Sequence, residues 1–297
     1  MKRKLLLVPA ILFMLLLMGT PGFLSAKSTV TGVKLDIKVY LKGALVGNGL
    51  NTPLLMRDDL RSGGYLPVAE PYSAFPRYQH VGADGGNETI SSNAVLAVTG
   101  ANAIVDWVFI ELRNAANPAE VLATRSALLQ RDGNVVDVDG VSFLSFPSMP
   151  AGNYYVAVRH RNHLSVMSNS THSLGNSPVS LDFTDPKFKT WGASAQQEFM
   201  DKMAMRAGDF NQDGRIIYMG PNNDIFQLFS SVLSAPENVN FSPNYILYGY
   251  HNCDYNMDGR SIFIGPNNDR SPMLYYSLGE CLGNHQPNCI LVEDFPK

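Results

Sequence analysis

Two short segments near the C-terminal end carry the residues best suited to chemistry. Residues 208–224 read GDFNQDGRIIYMGPNND, and residues 253–269 read CDYNMDGRSIFIGPNND. Eleven of the 17 positions are identical, so the two are copies of one unit. In the first copy Asp209, Asn211 and Asp213 alternate with other residues, and Gly214 follows. In the second, Asp254, Asn256, Asp258 and Gly259 take the same places. Hard oxygen donors at positions 1, 3 and 5 can wrap one cation, and glycine permits the sharp turn at position 6. The backbone carbonyl of position 7, here Arg215 or Arg260, is the usual next donor. The spacing therefore predicts two calcium sites.

The loop ends depart from the calcium pattern. Position 12 calls for an acid, but Gly220 and Gly265 stand there. The nearest acids, Asp224 and Asp269, lie four residues further on. We expect an insertion, with these two aspartates closing the ligand sets. The alternative is that each caps the helix that follows. Asn222, Asn223, Asn267 and Asn268 read as turn formers first and ligands second. Ile217 and Tyr218, with Ile262 and Phe263, are expected to pair the two loops through a short β-bridge.

The repetition continues past the loops. Pro243-Asn244-Tyr245-Ile246-Leu247 is echoed by Pro287-Asn288-Cys289-Ile290-Leu291, giving a unit of about 45 residues. A duplicated D-x-N-x-D-G loop, each copy leading into a helix, resembles the type I dockerin module over about 90 residues. The resemblance implies two bound calcium ions. It also implies a protein partner, a cohesin, read by residues late in each loop, where this chain carries its insertion.

The elements that must position these loops lie upstream. Residues 31–42 alternate apolar Val33, Leu35, Ile37, Val39 and Leu41 with polar neighbours, the period of a half-buried strand. Residues 47–93, rich in Gly, Pro, Asn and Ser, read as long loops with a short strand or two. Ile104 to Arg113 reads as a strand apolar on both faces for most of its length, with Trp107 in the core. Strands are also expected at 121–130, 135–138, 154–161 and 179–183, separated by turn signals such as Asp132-Gly133-Asn134. The predicted fold class is mainly β, an antiparallel sandwich followed by the loop–helix module. The stretch from Leu128 to Val158, with Pro150-Ala151-Gly152 feeding a strand, resembles prealbumin-like sandwich modules of exported surface proteins. The whole chain is similar to the C-terminal part of large exported surface proteins of Bacteroidetes-like bacteria. Ser194 with Gln197 forms a capping box, and Phe199, Met200, Met203 and Ala207 share a face, which predicts a helix over 194–207. The expected division is a leader at 1–26, a sandwich at 27–185, a linker and helix at 186–207 and the loop module at 208–297.

Other residues read as structural. His160 and His163 are expected at a polar strand end rather than on a metal. Asp132, Asp137 and Asp139 are expected in turn and strand-edge roles. The cysteines Cys253, Cys281 and Cys289 all fall in the last 45 residues, and a Cys281–Cys289 disulfide is expected, with Cys253 outside it.

The chain has 297 residues, 23 Lys and Arg, and 26 Asp and Glu. Its net charge of −3 gives no electrostatic footprint for nucleic acid. No Walker, G-x-S-x-G, H-E-x-x-H or G-x-G-x-x-G motif occurs. Met1-Lys2-Arg3-Lys4 opens the chain, the uncharged run Leu5–Met18 follows, and Leu24-Ser25-Ala26 closes the leader. This is the pattern of a secretory signal, and the apolar run is too short to span a bilayer. The expected protein is therefore secreted, extracellular or surface-bound, non-catalytic and without a membrane span. It acts in adhesion, anchoring or extracellular assembly, through a protein partner, a second copy of itself or a glycan. Two competing readings are a self-assembling subunit of a fibre or layer and a polysaccharide hydrolase. Mass spectrometry of the native protein is expected to give a chain starting at or near Lys27. An intact Met1 on cell-bound protein would rule out removal of the leader.

Overall fold

The structure is a computed structural model and describes residues 32–46, 53–192, 194–279, 289–293 and 296. The expected leader and Cys281 lie outside the described residues, and so therefore does the expected cysteine pair. Among the described residues strand makes up 35% and helix 14%, so the protein is mainly β, as its turn-rich composition implies.

Alternation gives the first strand. In β1 (Val33–Lys38), Val33, Leu35 and Ile37 are fully buried and the residues between them are half-buried. Short strands β2 (Leu45–Val46) and β3 (Leu55–Met56) pair with each other. Next come β4 (Ile104–Asn114), β5 (Val121–Gln130), β6 (Asn134–Val136), β7 (Leu144–Phe146), β8 (Gly152–His160), β9 (His163–Met167), β10 (His172–Leu174) and β11 (Val179–Asp182). With β1 they form one nine-stranded sheet in the order β10-β8-β4-β5-β6-β1-β11, with β7 also on β1 and β9 also on β8. All pairings are antiparallel except β1 with β11, where Leu35 sits opposite Val179.

Strand β4 is buried along all but its last residue, as a strand apolar on both faces must be. The 53–103 segment, with helices α1 (Asp59–Ser62) and α2 (Asn93–Ala97), lies against it. Tyr72 donates its hydroxyl to Trp107 O at 2.8 Å, and Trp107 donates Nε1–H to Pro67 O at 2.9 Å. Trp107 is a core residue with no exposed surface. Asp132 and Asp139 accept backbone N–H groups in their turns, and Asp137 accepts the Arg125 guanidinium.

The expected helix over 194–207 is not formed. The segment is a hairpin of β12 (Gln196–Phe199) and β13 (Lys202–Met205), turning at Met200, whose φ is +59°. Tertiary hydrogen bonds override the local helical pattern. Met205 donates its N–H to Tyr40 O at 2.8 Å, and Leu164 donates to Arg206 O at 2.8 Å. Residues 205–206 thus join the extension of β1 to β9, and a circuit β9-β8-β4-β5-β6-β1-β13-β9 closes through hydrogen bonds. Unpaired strand edges at those two places are satisfied, a gain that a free-standing helix cannot match.

One hydrophobic core crosses the expected boundary near residue 208. Val33, Phe109 and Leu164 belong to the same buried cluster as Phe210, Ile216, Leu228 and Met273. Met200 is 53% exposed, so its substitution tests the backbone rather than the core. Met200→Gly relieves a left-handed residue and is expected to leave thermal stability unchanged or raise it by up to about 1 kcal/mol. The same change in a helix interior would cost about 1 kcal/mol, so a clear loss of melting temperature would argue against the hairpin.

Candidate metal centre

The two repeated loops fold alike. At position 4, Gln212 and Met257 have φ of +62°, and at position 6, Gly214 and Gly259 have φ of +76° and +79°. Only glycine takes the sixth position without strain, and at Gly259 a Cβ would also lie 2.7 Å from the Tyr65 ring. The reversal brings positions 1, 3 and 5 together. Gly214 N–H donates to Asp209 Oδ2 at 3.0 Å, and Gly259 N–H donates to Asp254 Oδ2 at 2.8 Å. Asp213 N–H donates to Asn211 Oδ1 at 2.9 Å, and Asp258 N–H donates to Asn256 Oδ1 at 3.0 Å. Asp209 and Asp254 are buried.

Arg215 and Arg260 leave the turns as the first residues of short strands. Among the described residues the strands of this region are β14 (Arg215–Ile217), β15 (Ile246–Tyr248), β16 (Arg260–Ile262) and β17 (Ile290–Val292). The expected bridge between the two loops is absent among the described residues. Instead β14 pairs with β17, Ile217 opposite Ile290, and β16 pairs with β15, Ile262 opposite Ile246. The partners are the two Pro-Asn-x-Ile-Leu tails.

Asp224 opens helix α3 (Asp224–Leu233), yet it does not cap it. The cap is Asn223, whose Oδ1 accepts from Phe226 N at 2.7 Å. Asn268 does the same for Ser271 N at 2.9 Å, ahead of the short α4 (Arg270–Pro272) and a π-helical turn over Met273–Ser277. Asn222 and Asn267 hold the left-handed turn before them, at φ +57° and +56°. The freed aspartates reach back into the loops. Asp224 accepts from the N–H groups of Phe210 at 2.8 Å, Asn211 at 3.2 Å and Ile217 at 2.8 Å. Asp269 accepts from Tyr255 at 2.8 Å and Ile262 at 2.7 Å. Each acid clasps the start of its loop to the strand that leaves it.

This packing collects negative charge where water is scarce. Burial pushes the Asp209 carboxyl well above its ordinary range, and the neighbouring Asp224 and Glu293 add to the rise. Burial lifts Asp224 to about 7 against the backbone donors that oppose it. Burial likewise raises Asp254 and Asp269, with Arg161 opposing at Asp254. A carboxyl whose folded pKa exceeds its unfolded value favours folding at low pH, and that gain is lost as pH rises through the folded pKa. Ionising all the carboxyls of a cluster sets like charges against one another at close range, a repulsion that a cation would offset. Among the described residues no three His, Cys, Asp or Glu side chains already close on a common point. Asparagine and backbone carbonyl oxygens must supply part of any ligand set. Asp209 Oδ1, meanwhile, is buried and accepts no hydrogen bond among the described residues.

A buried polar hub ties the second loop to the large sheet. His160 ends β8 and His163 opens β9, the polar strand ends expected of them, and with Arg161 and Asn162 of the turn between they are buried. Arg161 Nε donates to Asp106 Oδ2 at 2.9 Å, His160 Nε2 lies 3.1 Å from the same oxygen, and Tyr250 donates to Asp106 Oδ1 at 2.6 Å. Burial would raise Asp106, but Arg161, His160 and Tyr250 overcome it and hold the carboxyl below its usual range. Burial pushes both imidazoles down. Arg161 also donates to His251 O, Asn162 Nδ2 donates to Asp254 O at 2.7 Å, and Gly208 N–H donates to Asn162 O at 2.9 Å. One turn therefore touches the entry of both loops. Sequence reasoning missed Asp106 because a single acid inside an apolar strand carries no pattern. Its only signal is that such an acid must find a buried partner.

Beside the first loop lies a cleft of about 570 Å³ lined by Arg77, Glu111, Arg113, Arg159, Gln212 and Glu293 among others. Arg113 and Arg159 hold the two oxygens of Glu111, at 2.6 and 2.9 Å. Buried Cys253 is a free thiol pushed up to about 12 by burial. No protein-family model, curated protein or solved structure matches the chain.

The hub makes a testable demand. Asp106→Ala leaves the Arg161 charge buried without its carboxylate and is expected to cost about 3–5 kcal/mol in denaturant unfolding. Adding Arg161→Met is expected to recover part of that loss. Simple additivity of the two changes would show that the pair is not coupled.

Proposed function

We propose that the two repeated loops bind calcium and that the protein is an exported, non-catalytic calcium-binding protein of the cell surface or extracellular space. The observation that carries this reading is the shared loop geometry. In both copies the position 6 amide holds one oxygen of the position 1 aspartate, while the acids, the asparagine and the turn gather hard oxygens within one short loop. The buried, donorless Asp209 Oδ1 fits a cation ligand, because such an oxygen is costly unless something positive meets it. Asp209, Asn211 and Asp213 would ligate in one site, and Asp254, Asn256 and Asp258 in the other. The Arg215 and Arg260 carbonyls would complete the turn. Asp224 and Asp269 keep an unused lone pair beside their amide bonds and can serve as both clasp and ligand.

Adhesion, anchoring or assembly at the surface follows as the role, because calcium joins loop closure to folding in a protein that meets millimolar calcium only outside the cell. The resemblance to dockerin modules supports a protein partner, and the resemblance to sandwich modules supports a surface setting. In the cleft, Arg113 and Arg159 hold both oxygens of Glu111, so that carboxylate serves an ion-pair network.

Calcium titration of the full chain in a calorimeter is expected to show two binding events, and chelation is expected to lower the melting temperature. Magnesium is expected to restore little, because it demands octahedral geometry and holds its waters. Melting indifferent to both calcium and chelator would end this reading.

A further inference from the structure

The two loops are near copies in sequence, but they do not stand in equivalent surroundings. In the first, Asp209 faces the carboxylates of Asp224 and Glu293, and its Oδ1 accepts no hydrogen bond among the described residues. In the second, Asp254 takes the same position and likewise faces carboxylates, those of Asp258 and Asp269, but its Oδ1 accepts from Asp258 N at 3.1 Å and the Arg161 guanidinium opposes the negative charge. Arg161 is fixed there by Asp106, by His251 O and by Met257 Sδ at 3.3 Å. Asp258 also meets cations. Arg260 Nη2 lies 2.7 Å from its Oδ2, and Arg57 Nη1 lies 3.8 Å from the same oxygen.

We infer that the two sites fill in order: the first loop takes calcium first and more tightly, while arginines hold the second loop in shape and compete with its metal. This rests on the calcium reading above. A guanidinium against a ligand carboxylate must be displaced, or at least repelled, when a divalent ion arrives, and at these distances the effect is large. The second loop therefore keeps its fold at low calcium and responds only at higher concentration. The first loop carries the strain that calcium relieves. The duplicated unit then works as a graded sensor, one part built for stability and one for response.

The test is calorimetry of the full chain with calcium alone, on the native sequence and three variants. The native protein is expected to show a tight and a weak step. Asp213→Asn is expected to abolish the tight step, and Asp258→Asn the weak one. Arg260 is 39% exposed at its side chain, so Arg260→Gln leaves the core intact. It is expected to strengthen the weak step by about tenfold without moving the tight one. Far-ultraviolet circular dichroism of each variant shows whether it is folded, and the Arg260→Gln arm stands even where an aspartate variant is not. Two equal steps, a reversed assignment, or no change with Arg260→Gln would overturn the ordering while leaving calcium binding intact. No calcium heat in any protein would overturn both.

Discussion

The ion pair between Asp106 and Arg161 is the constraint on which the architecture turns. Both side chains are completely buried, and a single unpaired charge at that depth would be prohibitive. Tyr250 and His160 complete the shell of Asp106, so the pair is satisfied only when β4, the β8–β9 turn and the segment before the second loop are all in place. The hydrophobic core supplies most of the driving force but is indifferent to detail. The polar hub is specific. It sets where the turn sits, and Asn162 then positions the entry of both loops through Asp254 O and Gly208 N.

From there the loops are built by backbone chemistry. A chain reversing twice within six residues strands amide groups that no helix or sheet can serve. Asp209, Asp254, Asp224 and Asp269 accept those amides, which is why carboxylates are gathered so densely. The same arrangement that satisfies hydrogen bonding concentrates negative charge in a buried space. The residues that satisfy these amides are thus the same ones proposed to hold the cations.

The loops were legible in the sequence because each position is limited by chemistry acting locally: oxygen donors at 1, 3 and 5, glycine at 6, and a second copy to confirm the spacing. Strands β1, β4, β5 and β8 were legible for a similar reason, since period and composition act within a few residues. What was not legible depends on partners far along the chain. The apolar face over Phe199, Met200 and Met203 has helical spacing, but Tyr40 and Leu164 claim the backbone of residues 205 and 206. Asp224 read as a ligand or a cap, and the cap turned out to be its neighbour Asn223. The contacts of the Asp224 carboxylate on Phe210, Asn211 and Ile217 follow from the fold of the loop rather than from distance in sequence. The Pro-Asn-x-Ile-Leu tails were visible as echoes, yet their pairing could not be read from either tail alone.

That pairing shows how duplication produces unequal sites. The second loop pairs with the tail that immediately precedes it, β15, so its strand closes within one local stretch of chain. The first loop has no preceding tail and takes β17 from the far end of the second unit. With β17 comes Glu293, whose N–H donates to Gly214 O at 2.9 Å and whose Oε2 accepts from Ser165 N at 3.1 Å. The acid that crowds Asp209 is therefore imported by the strand that closes the ring of two repeats. The arginine facing Asp254 is imported by the turn that docks the ring onto the sheet. Two loops of nearly the same sequence thus acquire different electrostatic surroundings from their places in the fold, Glu293 beside Asp209 and Arg161 beside Asp254.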